Sequence, residues 1–479
     1  MDKEEIISQL QQFREELYQL LPARRDALMD LLDALASSPQ TRSVVALSLS
    51  PLFRREYGSV SDAIDNFFQA SSPEQADAER QAWNQQVAQL VGRYLPAPQQ
   101  RSFWLLGTDV VPVPRPFART LEDRTLVYQP NSIRGNKPVT IGHQYSVLAC
   151  LPEKEPTDPP WVVPLSARRV QSTEKATAVG AAQLTALLED ETQPFHQALC
   201  VHVADSTYSA VNFLGRVGQH RNLVSVTRSA ANRVFYRQFI PEPGVKKCGH
   251  PRWYGERFDL KDDTTWGPPD ETAETTLLTK RGREYRVQLQ GWHNLLKRGQ
   301  RGLPMHQYPF TLVRALVLDQ QGRPVFKRPL WLIVLGARRG ELSLVDVWAA
   351  YGQRYDLEHY FRFGKQRLLL AAFQTPEVEH EENWFHLVQL VMVQLWLARQ
   401  LVELQLYPWE RYLPQRATGV APPSQVQRGW TRIIRRVGTP AQPPKRRGKA
   451  PGRAKGTRLG RRPRHRVVKK RTRTRPKAA

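Results

Sequence analysis

Apolar residues recur at helical spacing through the first part of the chain, at Ile6, Leu10, Phe13, Leu17 and Leu20 and again across 27–35. Side chains three and four positions apart share a helix face, so residues 1–95 read as an N-terminal helical domain. Pro96-Ala97-Pro98 marks its end. Short apolar runs then read as strands at 103–111, 125–128 and 145–151, followed by an Ala-rich helix at 173–191, a strand at 199–204, a helix at 206–217 and a strand at 223–227. Three strands, helix, strand, helix, strand describes the first part of an α/β domain over 96–229. From 230 to 336 the alternation gives way to β-like runs at 285–289, 310–318 and 330–335 between Gly and Pro turns, which predicts a β-rich insertion. One long helix at 342–370 and an apolar one at 381–404 return the chain to the α/β core over 337–410. The apolar stretch 387–401 is broken by Gln389 and Gln394 and falls short of the roughly 20 residues of a membrane span, so it reads as a buried helix.

Charge changes the picture at the C-terminus. The 479 residues carry a formal net charge of +25, yet from Arg416 onward there are 22 Lys or Arg and no Asp or Glu. The rest holds 48 basic against 45 acidic residues and is nearly neutral. A Pro-, Gly- and Arg-rich segment of this kind buries little apolar area, so 411–479 is expected to be a disordered basic tail. Its natural partner is polyphosphate, held by counterion release; a merely solubilising tail is the alternative. Three scattered cysteines, Cys150, Cys200 and Cys248, exclude a disulfide framework and fit a reducing compartment. Cys248 and His250 lack a second pair to complete a tetrahedral zinc site. The opening Met-Asp-Lys-Glu-Glu has no signal-peptide pattern, so a cytoplasmic protein is expected.

The most informative chemistry is a stripe, Tyr351-x2-Arg354-x3-Glu358-x6-Lys365. On one helix these side chains would project within an arc of about 60° along roughly 21 Å of axis, one carboxylate flanked by two cations. Such an order suits a surface that holds a divalent metal and grips a phosphate backbone beside it. A solvated face with an Arg354–Glu358 pair is the plainer reading. Asp109 follows the apolar run 103–106, and Asp205 follows the run 199–204. Each has a local explanation, a turn-initiating Asp and a helix N-cap respectively. Two strand-end aspartates can also face one site in an open α/β sheet, and Glu358 completes a trio if its helix crosses that sheet. Three hard carboxylates suit two Mg²⁺ ions, with Mn²⁺ as a substitute, for an in-line displacement at phosphorus. No Walker-type loop is present, so ATP is not implied.

Together, Asp109 in Leu-Leu-Gly-Thr-Asp-Val-Val, Asp205 in Val-His-Val-Ala-Asp-Ser-Thr and the stripe resemble the DDE transposases of bacterial insertion sequences, within the group defined by Tyr-Arg-Glu-Lys. The resemblance covers about 103–370, with 152 residues between Asp205 and Glu358, a gap matching the family's habit of inserting a β-rich domain. It implies an RNase H-like core, metal-dependent cutting at the element's terminal inverted repeats and strand transfer into target DNA, often through a hairpin. By the same similarity Asp109, Asp205 and Glu358 are the catalytic metal ligands, and Tyr351, Arg354 and Lys365 contact DNA. A tryptophan of the insertion would stack on a flipped base. Trp292 is one candidate beside Trp253 and Trp266, with a core tryptophan as the alternative. A homodimer bridging two ends and a location at the nucleoid are further implications. The competing functions are a transposase-derived DNA-binding protein that no longer cuts and a metal-dependent nuclease without strand transfer.

Overall fold

The computed structural model describes residues 2–469 apart from 69–72, 130–134, 136–137, 241–251, 280–281, 301, 403–408, 410–418, 446–453 and 457–459. Cys248 and His250 lie outside the described residues, while Cys150 and Cys200 are buried free thiols. The N-terminal periodicity becomes helices α1 (Lys3–Leu20), α2 (Arg25–Ser37), α3 (Gly58–Asp65) and α4 (Pro73–Gly92). Asp2 caps α1 by accepting the Lys3 N–H at 2.6 Å. Arg14 of α1 forms a buried, two-point pair with Asp33 of α2, both contacts at 2.8 Å.

Strands β1 (Trp104–Pro114), β2 (Thr125–Tyr128), β3 (Val139–Cys150) and β4 (Val163–Arg169) come next. They are followed by α5 (Ala176–Glu189), β5 (Cys200–Ala204), α6 (Val211–Val217) and β6 (Leu223–Ser229). The fourth strand, β4, is absent from the sequence reading. Its Pro164 argues against a strand, and the structure tolerates it where the ladder with β3 shifts register between Leu148 and Ala149. β1 runs antiparallel to β3 and parallel to β5, and β5 runs parallel to β6. All five residues of β5 are buried, as expected of a parallel strand covered on both faces.

The insertion supplies β7 (Val234–Gln238), β8 (Tyr254–Asp259), β9 (Glu271–Leu278), β10 (Glu284–Leu296), β11 (Phe310–Leu318) and β12 (Leu330–Leu335). These strands extend the core sheet, because β12 pairs antiparallel with β6 from Trp331 to Leu335. The order is β2-β3-β1-β5-β6-β12-β11-β10-β7-β8, with β4 on β3 and β9 on β10.

The long helix expected at 342–370 is two helices, α7 (Leu344–Gln353) and α8 (Tyr355–Arg367), separated at Arg354. The Arg354 N–H bonds the carbonyl of Tyr351, three residues back, at 3.2 Å, and the Leu357 N–H bonds that of Arg354 at 3.1 Å, so the turn tightens locally. α9 (Val378–Leu397) is buried along most of its length. Among the described residues no helix is long and apolar enough to cross a membrane.

The expectation of a disordered tail from 411 is corrected over two stretches. Residues 423–437 form α10 (Pro423–Val437), which buries Val426, Trp430, Ile433, Ile434 and Val437. It packs on α1, α2, α8 and α9. Those positions keep helical spacing, and their burial outweighs the charge that surrounds them. Further on, the His465 N–H donates to the Arg119 carbonyl at 2.9 Å and the Val468 N–H to that of Arg124 at 2.8 Å, laying the chain beside β2. The buried apolar residues of the helices, the sheet and α10 make one continuous core.

Candidate active site

In the parallel register, Thr108 of β1 lies opposite Ala204 of β5. Asp109 and Asp205 therefore stand side by side, one residue beyond that pair. Asp205 also has the capping role its position suggests: its Oδ1 accepts the Thr207 N–H at 2.8 Å and its Oδ2 the Thr207 hydroxyl at 3.2 Å. The Asp109 Oδ1 accepts its neighbour's N–H, from Val110, at 2.7 Å. Capping and juxtaposition thus coexist in Asp205.

Glu358 reaches this region because α8 crosses close to β1. A Cβ on Gly107 would lie 3.0 Å from Leu357 Cδ1, so the glycine lets α8 pack closely on β1. The neighbouring Glu358 is thereby brought near Asp109. Behind β1, a Cβ on Gly180 of α5 would lie 3.1 Å from Thr108 Cγ2 and 2.9 Å from Tyr208 Cε1. β1 is thus closely packed on either side of its acidic residue.

Arg354 joins the two acids. Its guanidinium lies 3.5 Å from Asp109 Oδ2 and 3.0 Å from Glu358 Oε1. The Tyr351 and Tyr355 rings flank it with centroids at 5.7 and 4.9 Å. Its Nε is buried without a hydrogen-bond partner, so the cation is held by charge and ring faces on an incompletely satisfied side chain. Burial, then the charges of Asp205 and Glu358, push the Asp109 carboxyl up to about 6 against the hydrogen bond from Val110 and the pull of Arg354. Burial disfavours the charged carboxylate, and like charges nearby add to the effect.

Beneath the aspartates, His202 of β5 lies between the Thr108 hydroxyl at 2.9 Å and the Ser225 hydroxyl at 3.3 Å. Burial lowers its pKa to about 3, so the ring is neutral and cross-links β1, β5 and β6. Lys297, at the end of β10, donates to the Ser209 carbonyl in the turn after Asp205; burial, then Arg233, lowers its pKa to about 8. The sequence reading missed both residues, and Tyr355 as well. His202 alone had a signal, as a polar residue inside the apolar run 199–204.

Lys365 stands on α8 about 10 Å along the axis from Glu358, exposed and without an ion-pair partner among the described residues. Trp292 is not presented to any ligand. It is 1 % exposed, and it packs against Phe258, Trp266 and Trp331 with ring centroids 5.4–6.0 Å away. The structure places it in the core, the alternative named for it, with its ring buried among those aromatics. Trp253 stacks on His306 at 3.7 Å.

A family model described as DDE superfamily endonuclease matches residues 16–298. That is more than half of the chain. The protein belongs to the DDE superfamily endonucleases. A comparison with curated proteins found no match. The matched span contains Asp109 and Asp205 and ends before α7 and α8, so Glu358 rests on the geometry just described. Membership implies a nuclease or transposase type of activity on DNA, which such enzymes typically support with divalent metal ions.

Among the described residues no group of three or more His, Cys, Asp or Glu side chains is gathered as a ready-made metal cage. The donor set nonetheless fits hard cations. It consists of carboxylate oxygens, one of them raised in pKa by burial and then by its acidic neighbours, with a positive group already drawn between two of the acids.

Proposed function

We propose that this DDE endonuclease is a DNA transposase of the bacterial insertion-sequence type, in the Tyr-Arg-Glu-Lys group. The observation that carries this reading is the approach of Asp109, in the middle of β1, to Asp205 just past the end of β5 and to Glu358 through Arg354. The order β3-β1-β5-β6, antiparallel then parallel, supports an RNase H-like core.

Asp109, Asp205 and Glu358 would hold Mg²⁺, or Mn²⁺ in its place. Bound there, the ions would supply activation of a water or 3′-hydroxyl and stabilisation of the leaving 3′-oxygen at phosphorus. The protein's own groups orient the acids. Thr207 holds Asp205, the Val110 N–H holds Asp109, and His202 locks the strands beneath them. Arg354 and Lys365 offer cations to phosphates on either side of Glu358, and Tyr351 supports Arg354 from below. A homodimer would bring two terminal inverted repeats together for cutting and strand transfer into target DNA, with a hairpin as one route.

Hydrolysis without strand transfer uses the same three acids, and the matching family is described as an endonuclease, so it is the second reading. Incubating the full chain with Mg²⁺ and DNA carrying its flanking repeats, then sequencing the products, separates the two. Joined ends support transposition, and hydrolysed ends alone support a nuclease. Retention without cutting would leave a binding protein. Asp205→Ala should abolish cutting while DNA binding persists; cutting at the wild-type rate would overturn the site.

A further inference from the structure

α10 commits its apolar side to the protein, where Val426, Trp430, Ile433, Ile434 and Val437 are buried. The other side carries Arg428, Arg432, Arg435 and Arg436. At 100° per residue these four fall within an arc of about 100° and span about 12 Å of axis. Arg436 is paired with Glu4 at 2.8 Å. Arg432 and Arg435 are exposed and have no ion-pair partner among the described residues.

The helix is fixed at both ends. The Gln427 amide donates to the Leu35 and Arg367 carbonyls at 3.2 and 3.1 Å, and the Gln11 amide to the Val437 carbonyl at 3.0 Å. Its exposed side has no apolar residue, and its apolar side is already covered, so it has nothing to insert into a lipid layer. What remains is a rigid row of guanidinium groups, suited to successive phosphates.

We propose that this α10 ridge is a contact for the sugar–phosphate backbone of duplex DNA, outside the carboxylate site. The choice of DNA as partner rests on the function proposed above. The ridge differs from the surrounding basic chain in that its cations are held in register, and binding through it gains sequence-independent affinity that salt weakens.

The test compares the full-length wild-type chain with R432Q/R435Q and with the charge-preserving R432K/R435K. Binding to a short duplex of arbitrary sequence is followed by fluorescence anisotropy over a range of NaCl concentrations. The glutamine variant should lower the slope of log K against log salt by about 1.8, at about 0.9 per phosphate contact. Its melting temperature should not change, and the lysine variant should keep the slope. An unchanged slope in the glutamine variant, with wild-type binding intact, overturns the ridge and leaves the DNA reading standing. No wild-type binding to any duplex overturns the DNA reading and the ridge with it. If the glutamine variant loses binding only to phosphatidylserine-containing vesicles, the surface is a lipid contact and the proposal fails.

Discussion

Asp109→Asn is the most direct probe of the carboxylate cluster, because it removes a charge and little else. The amide oxygen keeps the Val110 hydrogen bond and the side chain keeps its volume. In the folded protein the Asp109 pKa is raised from 3.8 to about 6, equivalent to about 3 kcal/mol at about 1.4 kcal/mol per unit. The sign follows from linkage. A group whose folded pKa lies above its unfolded one contributes stability that is complete below the unfolded value and lost as pH rises through the folded value. At pH 7.5 without divalent ions the wild type therefore bears the full cost, and at pH 4.5 only about 1 kcal/mol of it. Asp109→Asn should melt several degrees above wild type at pH 7.5 in EDTA and much closer to it at pH 4.5. Differential scanning calorimetry at the two pH values measures this. Adding Mg²⁺ at pH 7.5 should then raise the wild-type melting temperature more than the variant's, since an ion that binds only the native state stabilises it. A variant less stable than wild type at pH 7.5, or a gap independent of pH, would refute the raised pKa that burial and the neighbouring acids give this residue.

Arg354→Gln removes the cation that lies between Asp109 and Glu358, so Mn²⁺ binding by isothermal titration should tighten about five- to tenfold, equivalent to about 1 kcal/mol. An unchanged affinity would mean that the guanidinium does not compete for those oxygens. Trp430→Ala should cost about 3–5 kcal/mol by opening a cavity between α10 and the N-terminal helices, and limited proteolysis should then cut near residue 420 earlier than in wild type. Glu381 of α9 accepts from Arg115 at 2.7 Å, His143 at 2.8 Å and Tyr145 at 3.0 Å. Although burial raises its pKa, these partners, led by His143, hold it below the usual carboxylate value. Its contribution is thus present above the unfolded carboxylate pKa and is lost as pH falls through the lower folded value. Glu381→Leu should destabilise by about 3–5 kcal/mol at pH 7, read by urea denaturation, because Arg115 is left buried and unpaired.

The elements that were legible in the sequence are those in which one pattern dominates. β5 is an apolar run that ends at its acid, so the strand and the position of Asp205 could be read from residue type alone, whereas β1 continues past Asp109 to Pro114, and its acid lies mid-strand rather than near the strand end as its sequence suggested. β4 was hidden because Pro164 counts against a strand, and only the register shift opposite Ala149 shows how the ladder accepts it. α10 was hidden by composition. Its arginines and the prolines beside it suggested disorder, while Val426, Trp430, Ile433, Ile434 and Val437 kept a period that needed the N-terminal helices as a partner before it meant anything. The break at Arg354 had no such signal, since the residues from 342 to 370 keep helical spacing on both sides of it. Trp292 was left between two readings, because a large aromatic in a β-rich segment has no property in sequence that tells a packed ring from an offered one, and its burial follows the core reading.

The pairing of β6 with β12 has a corollary for the insertion. The whole excursion from residue 230 to 329 leaves and re-enters the sheet at adjacent strands, so its two ends are stapled together whatever the length of chain between them. Closing a longer or shorter loop across a fixed gap changes free energy only slowly with length. Length changes in its outer turns therefore cost little, whereas β9 and β10 pack on α7 and Lys297 bonds the turn after Asp205, so those parts are tied to the site. Complete removal would uncover the flank of β12 now occupied by β11, an open strand edge prone to self-association.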